Sequence, residues 1–479
     1  MSVNKRVFDT NVQIVKYNVL KEVIRRAYEG GMEDAYLEIP KVICPGPKPQ
    51  IRCCIYKERT IIQDRIKMAM GGDKNNPNPV EVIDIACDEC PAEGVMVTAA
   101  CRGCMVHACL DVCPKGAISI VNHRAVVDKD KCIECGKCSK ACPYSAIIMQ
   151  HRPCMVSCKV KAISIDENKK AKIDNDKCIS CGACVYKCPF GAITDKSYVL
   201  DIIDMLKKSE NNTKYKVYAV IAPAIVSQCR FGRPTQVVTA IQKLGFHQVV
   251  EAALGADITL YNEALEWKEK GLMTTSCCPS YVAFVEKNFP ELVPHISHSV
   301  SPMIMTAQLI KHSDPTAKVI FIGPCASKKF EFKLEKTGGA IDSVMSFEEL
   351  QAFLDARGID TVECEDTALD NASFYGRIFA KSGGIAQGLV DVAKDLNVEG
   401  LKPIVMSGID ECRAALMKLK FGKATENFFE GMACEGGCVN GPLCITHSPR
   451  NIVDIDKYGN EAKEKTIHNS VKLYEMTKE

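Results

Sequence analysis

The 479-residue chain reads as an α/β protein whose parallel-sheet domain follows small α+β units built around cysteine. Two observations carry that reading. Short apolar runs alternate with helical patterns from about residue 214, and sixteen of the 28 cysteines crowd the stretch 87–188 ahead of them. A hydrophobic share of 47% is that of a globular chain, and the length allows two to four domains. A formal charge of +2 leaves no electrostatic footprint for nucleic acid. No run of eighteen apolar residues occurs, so no membrane span is expected. Met1-Ser-Val-Asn-Lys-Arg6 lacks the apolar stretch of a signal peptide. Disulfide-rich secreted chains are short, so thiols recruited by metal in a reducing cytoplasm are the expectation.

Residues 1–80 form a helical and irregular segment of no assigned role. Tyr17–Tyr28 carries apolar residues at helical spacing and stops at Gly30-Gly31. Pro45, Pro47 and Pro49 break any regular element after it, and 71–79 reads as a loop. Cys44, Cys53 and Cys54 lack a partner motif and read as structural.

Residues 81–200 carry the cysteine runs. Cys132-x2-Cys135-x2-Cys138-x3-Cys142-Pro143 and Cys178-x2-Cys181-x2-Cys184-x3-Cys188-Pro189 are bacterial ferredoxin spacings. In such runs three thiolates bind one [4Fe–4S] cubane and the fourth reaches another cluster. A zinc ribbon would not need the third cysteine or the Cys-Pro. Cys101-x2-Cys104-x4-Cys109-x3-Cys113-Pro114 is the same run with two residues inserted. Cys113 precedes Cys132 by nineteen positions and Cys158 precedes Cys178 by twenty, which points to two units, one nested in the other. The inner unit is 99–149; the outer is 81–98 plus 150–195. Lys115-Gly-Ala-Ile-Ser-Ile120 and Lys161-Ala-Ile-Ser-Ile165 repeat after the fourth cysteine of a half-motif. Cys101, Cys104 and Cys109 then pair with Cys142, and Cys132, Cys135 and Cys138 with Cys113. Cys178, Cys181 and Cys184 pair with Cys158, and Cys87, Cys90, Cys154 and Cys188 complete a fourth set. Four accessory clusters use all sixteen thiols; the alternative keeps two and leaves eight cysteines structural. The arrangement resembles nested ferredoxins in electron-transfer subunits of molybdenum oxidoreductases.

The large domain spans 214–450. Val217–Ala222, Lys318–Gly323 and Pro403–Ser407 read as buried strands, and Thr235–Leu244 and Phe347–Ala356 as helices between them. Such α/β domains hold ligands at the carboxyl ends of their strands. Pro324-Cys325 directly follows one strand, and Cys277 sits in a loop after a helix over 259–270. The charged stretch 456–479, within a tail from 451, reads as a solvated helix.

Three segments of this domain carry five thiols: Thr275-Ser-Cys-Cys-Pro279, Gly323-Pro-Cys-Ala-Ser-Lys-Lys-Phe-Glu331 and Met432-Ala-Cys-Glu-Gly-Gly-Cys438, followed by Gly441-Pro442. A cubane needs four, so one thiol is surplus. In this order the segments resemble the active-site motifs of [FeFe]-hydrogenases. The resemblance covers roughly 214–450 and implies two lobes around a buried H-cluster, a cubane joined to a diiron unit with CO, cyanide and a bridging azadithiolate. It implies that Cys278, Cys325, Cys434 and Cys438 bind the cubane, Cys438 also bridging to the diiron unit. Gly436 and Gly437 would let backbone pass close to inorganic sulfide. Lys328, on one helical face with Cys325, would hydrogen-bond a cyanide, with Pro223, Ala224, Gly323 and Met432 also around the cofactor. Cys277 would face the bridging amine as proton donor and acceptor, a role open to a free thiol and closed to a metal-bound one. Glu263 and Glu266, at i and i+3 on one helix face, would otherwise read as surface charge. The family's relay uses two such glutamates and a serine, here Ser297, giving Cys277, Glu263, Ser297 and Glu266 with one water.

The resemblance further implies interconversion of H2 with protons and electrons, a ferredoxin-type electron carrier as partner, and dedicated maturation machinery for the diiron unit. Four features depart from the best-known catalytic members. Gly323 replaces Met, Tyr281 replaces Trp, Met303 replaces Gln, and Gly441-Pro442 replaces a longer glycine run. These features resemble the subgroup called group B. Loss of the methionine would take a thioether from beside the bridging carbonyl and open that place to water. Two other readings stand beside this one. Hydrogenase-like iron–sulfur assembly proteins keep the cubane ligands, lack the diiron site and usually lose the leading cysteine of the first motif. A hydrogen sensor would need a signalling module that the remaining length does not offer. No Gly-x-Gly-x-x-Gly follows a strand, so neither nicotinamide nor flavin is indicated. Cys229, Cys364, Cys412 and Cys444 read as core residues.

Overall fold

The computed structural model describes residues 8–91, 94–228, 232–369 and 372–475. Two parallel sheets organise the C-terminal half. In the first, Gln248–Glu251, Val217–Ile221, Lys318–Gly323 and Ser343–Ser346 lie side by side in that order. In the second the order is Met273–Thr274, Phe428–Met432, Pro403–Ser407. Lys318–Gly323 and Phe428–Met432 are buried along almost their whole length, as parallel strands covered on both faces require. The strands expected at 318–323 and 403–407 form over those residues, and the first ends one residue early at Ile221. The helix Phe347–Ala356 also forms as expected, fixed by a capping box. Ser346 Oγ accepts from Glu349 N at 3.2 Å while Glu349 Oε2 accepts from Ser346 N at 2.6 Å.

Ahead of these sheets, two antiparallel strand pairs close one around the other. Val80–Val82 pairs with Ile193–Asp195, and within that loop of chain Gly94–Val97 pairs with Ile147–Gln150. Each pair encloses a hairpin, Ile163–Ile165 with Ala171–Ile173 in the outer unit and Ile118–Val121 with Arg124–Val127 in the inner. Strand Gly94–Val97, read from sequence with the outer unit, pairs with the inner. The inner unit has its own small core of Val95, Ile118, Ala125 and Ile147. The outer core runs from Ile61 and Met68 through Val80 and Ile193 to Ala326 and Leu443 of the large domain. The outer unit is therefore seated on the large domain. At their junction a Cβ on Gly182 would lie 2.8 Å from Ala326 Cβ and from Pro442 Cγ.

The N-terminal segment is part of the same body. Helix Asn11–Glu29 starts at a Thr10/Gln13 capping box and ends at Gly30, whose φ is 98°. Its buried Tyr17, Leu20, Val23 and Ile24 join the core of the first sheet. Lys16 pairs with both Asp195 and Glu348, and the fully buried Lys329 reaches Asp195 and Glu349 at 2.8 Å each. One ionic cluster thus ties the N-terminal helix, the last ferredoxin strand and the large domain together. Removing one partner of such a buried pair costs about 3–5 kcal/mol, because the other charge is stranded. Cys44 is buried, and Cys54 caps helix Ile55–Ala69 by accepting from Lys57 N at 3.5 Å.

The tail departs from expectation. It forms two helices, Arg450–Glu461 and Ile467–Glu475, with Ile455, Ile467 and Val471 fully buried. Ser470 Oγ donates to Asp257 Oδ2 at 2.9 Å. The high charge count of 456–479 hid one apolar residue per turn facing the core. No helix among the described residues is long and apolar enough to cross a membrane.

Candidate active site

The three thiol-bearing segments meet between the two sheets. Cys277 and Cys278 lie between strand Met273–Thr274 and helix Pro279–Asn288, so a short strand separates them from helix Ala252–Lys270. Cys325 follows strand Lys318–Gly323, and Cys434 and Cys438 follow strand Phe428–Met432. Cys325, Cys434 and Cys438 each feel the charge of Cys278, so the four thiols surround one place. Burial pushes Cys325 up to about 11 and Cys438 up to about 12. All four are deeply set yet partly accessible, as thiols around a hollow are. Such a thiol set suits an iron–sulfur cluster, whose positive iron would reverse the cost of ionising them.

Cys277 is buried beside this group, with Glu263, Cys278, Cys438 and Lys328 around it. Burial first, then the Glu263 carboxyl, raise its thiol well above the ordinary value, so it keeps its proton. Lys328 opens helix Lys328–Glu331, with Cys325 in the turn ahead of that helix rather than on its face. Its ammonium donates to the Cys277 carbonyl at 3.2 Å and pairs with Glu331. Burial works against that charge, but Glu331 and the adjacent thiols outweigh it and hold Lys328 above the usual lysine range.

Glu263, Ser297 and Glu266 continue outward from Cys277. Both Glu263 carboxylate oxygens are buried without a hydrogen-bond partner, with Ser297 and the Ser276 amide alongside but short of bonding geometry. Burial is the main cause that lifts this carboxyl to about 8. A buried, unpartnered carboxyl is the place where one water belongs. Ser297 Oγ donates to Glu266 Oε2 at 2.9 Å. Glu266 is half-buried. Lys270, the His298 amide and Ser297 overcome that burial and hold its carboxyl below the usual range.

Residues 215–442 match the family model for the iron only hydrogenase large subunit, C-terminal domain. Residues 171–194 match a 4Fe-4S binding domain and 100–146 a 4Fe-4S dicluster domain. The periplasmic [Fe] hydrogenase large subunit of Nitratidesulfovibrio vulgaris is 30% identical over 67% of this chain and 86% of its own length. The chain belongs to the iron-only hydrogenase family. Iron hydrogenase 1 of Clostridium pasteurianum is 29% identical over 72% of this chain and 69% of that protein. The cytosolic Fe-S cluster assembly factor NAR1 of Kluyveromyces lactis is 37% identical, over 19% of this chain and 20% of its own.

In this hydrogenase-family chain the sixteen ferredoxin-region thiols fall into four groups. Cys101, Cys104, Cys109 and Cys142 line one shared hollow. Cys113, Cys132, Cys135 and Cys138 line another. Cys154 is pushed up to about 11 by burial, with Cys188, Cys90 and Cys87 beside it. Cys184 is raised by burial, with Cys181, Cys178 and Cys158 beside it. Four equivalent amide-to-sulfur bonds accompany these groups. Ala117, Ala146, Ala162 and Ala192 donate to the cysteines four residues earlier, Cys113, Cys142, Cys158 and Cys188, at 3.2–3.3 Å. Cys101 and Cys87 each accept from the second strand of their unit's hairpin, at Ala125 and Ala171, both at 3.3 Å. Such donors damp the charge of a bound thiolate. Among the described residues no group of three or more His, Cys, Asp or Glu side chains is placed to hold a single metal ion. Cys181 stands within reach of the charge of Cys278 and Cys434, so the outer unit faces the four-thiol group.

Other expectations meet specific contacts. Pro223 and Ala224 open a turn after strand Val217–Ile221, and the Ala222 Cβ would lie 3.3 Å from a Cβ on Gly323. A Cβ at Gly323 would stand 2.5 Å from the buried Phe321 ring, so a larger side chain fits there only if that ring moves. Gly437, at φ 94°, is required by crowding from protein, since its Cβ would meet Ala380 O and Ser382 N at 2.7 Å. Tyr281 is fully buried and bonds Thr274 Oγ1, and its ring lies over Gly431. Met303 and Met432 are buried, as are Cys364, Cys412 and Cys444, while Cys229 lies outside the described residues. Sequence reasoning missed Glu430, a fully buried acid accepting from Gly383 N at 2.7 Å and Ala386 N at 2.8 Å. Burial lifts it to about 7, and it lies near both Glu263 and Cys438. An acid interrupting the apolar run 428–432 was the available signal.

Proposed function

We propose that this chain is an [FeFe]-hydrogenase that interconverts H2 with protons and electrons. The observation that carries the reading is the fifth thiol, Cys277, buried against a four-thiol group and backed by the unpartnered Glu263. A cluster carrier with no proton to move has no use for that pair. Cys278, Cys325, Cys434 and Cys438 would hold the cubane of the H-cluster, with Cys438 shared with the diiron unit. When bound, that cofactor supplies the metal chemistry for making and splitting the H–H bond.

The protein's own residues then handle the proton. Cys277 holds it at Sγ, Glu263 exchanges it through one water, and Ser297 passes it to Glu266 near the surface. Lys328 would offer its ammonium to the cofactor's anionic ligands, and Pro223, Ala224, Gly323 and Met432 would form the wall around it. Electrons would travel through four accessory [4Fe–4S] clusters, the Cys158/Cys178/Cys181/Cys184 cluster nearest the active site, to a ferredoxin-type carrier. Dedicated maturation machinery supplies the diiron unit, and the abundance of free thiols favours the cytoplasm. The short match to an assembly factor supports a second reading, a cluster-assembly role without the diiron site. The matured protein should release HD when held under D2 in ordinary water. A protein with full cubane content and diiron iron but no HD release would not be a hydrogenase.

A further inference from the structure

The relay proposed above needs an exchange point with bulk water, and Glu266 alone is poorly suited to be one. Its carboxylate is held charged by Lys270 Nζ at 2.7 Å, by the His298 amide at 3.0 Å and by Ser297 Oγ at 2.9 Å. A carboxylate so stabilised binds an incoming proton weakly near neutral pH. Lys270 is no substitute, because its ammonium is an acceptor-less donor already committed to the Glu266 ion pair. One further group touches the same oxygen. His298 Nδ1 lies 3.1 Å from Glu266 Oε1, and its side chain is 79% exposed. An imidazole has two ring nitrogens, so it can take a proton on one while giving one up from the other.

We propose that His298 is the proton-exchange residue at the mouth of the relay, an inference that rests on the relay reading itself. In the inward direction water protonates Nε2, the imidazolium gives its Nδ1 proton to Glu266 Oε1, and a neutral Nε2–H ring remains. An exposed ring rotates quickly enough to present its free nitrogen to water and reset. Outward, the same steps run in reverse, and one proton enters for each that leaves. The charged and titratable groups facing this ring are Glu266 and, through that carboxylate, Lys270, with Glu263 behind Ser297.

His298→Ala tests the ring alone, since the backbone amide that holds Glu266 is kept. Two readouts apply to the full-length protein. One is the rate at which the protonated Glu263 carboxyl exchanges into D2O, followed by its infrared carbonyl band with or without the cofactor. The other is HD release by the matured protein. Both should fall by about 10²-fold, the low end of what a positioned proton carrier contributes. Added imidazole should restore both in the variant and leave the parent unchanged. Undiminished exchange in His298→Ala would overturn the proposal, as would a loss that imidazole does not relieve. Glu266→Gln separates the two levels of inference: exchange at the parent rate there would mean that the relay reading, and not only the histidine, is wrong.

Discussion

Glu263→Gln removes one proton from the centre of the account while keeping the side chain's size. Burial lifts the Glu263 carboxyl from 4.5 to about 8, so at pH 7 about nine-tenths of folded molecules should carry its proton. Between those values the folded chain holds a proton that the unfolded chain has lost. Stability therefore falls as pH rises through this window, by about 1.4 kcal/mol per pH unit. Glutamine has no such slope, so over two pH units inside the window it should gain about 3 kcal/mol on the parent. The direct assay is infrared spectroscopy of the protonated carboxyl, with the Gln variant as the subtraction. The band should be present at neutral pH and disappear with a midpoint near 8. Hydrogen evolution should drop by about 10²-fold or more in the variant, with iron content unchanged. A carboxyl that titrates near its ordinary value would refute the burial argument, and full turnover in the Gln variant would remove Glu263 from the relay.

Cys277→Ala should keep the cubane and diiron iron and lose turnover, with Cys277→Asp retaining more because a carboxyl still moves a proton; loss of cubane iron in the Ala variant would contradict this. Cys154→Ala should lower iron by one cluster and leave carbonyl and cyanide infrared bands in place, whereas unchanged iron and an unchanged reduced-cluster EPR spectrum would show that Cys154 is not a ligand. Gly323→Met should overpack against Phe321 and cost about 1–3 kcal/mol in denaturant unfolding, relieved in the Phe321→Ala/Gly323→Met double variant. Equal stabilities of the single and double variants would show that the two positions do not share space.

Much of the architecture was legible because cysteine spacing and apolar period are local signals. Lys318–Gly323 and Phe347–Ala356 formed over the residues that their pattern marked, since a buried parallel strand and a capped helix each declare themselves in sequence. Strand Phe428–Met432 did not, because Glu430 and Gly431 interrupt its apolar run for reasons found elsewhere in the chain. Glu430 accepts from the start of helix Gly384–Asp395, and Gly431 leaves room for Tyr281. The charged tail misled for the opposite reason, its few apolar residues being spaced to dock rather than counted. The relay residues could be named only through resemblance. Nothing in Glu263 itself distinguishes a buried proton carrier from a solvated acid; its lack of any partner in the fold does. The role of residues 1–80 was beyond local pattern altogether, because Lys16 finds Asp195 and Glu348 far along the chain.

The most direct test of the central claim is infrared spectroscopy of the full-length protein after maturation with the diiron unit. The account predicts sharp bands from iron-bound carbon monoxide and cyanide, together with cubane iron on Cys278, Cys325, Cys434 and Cys438. A protein that carries its cubanes after proper maturation but shows no such bands would contradict it and leave the chain as an iron–sulfur protein without hydrogen chemistry.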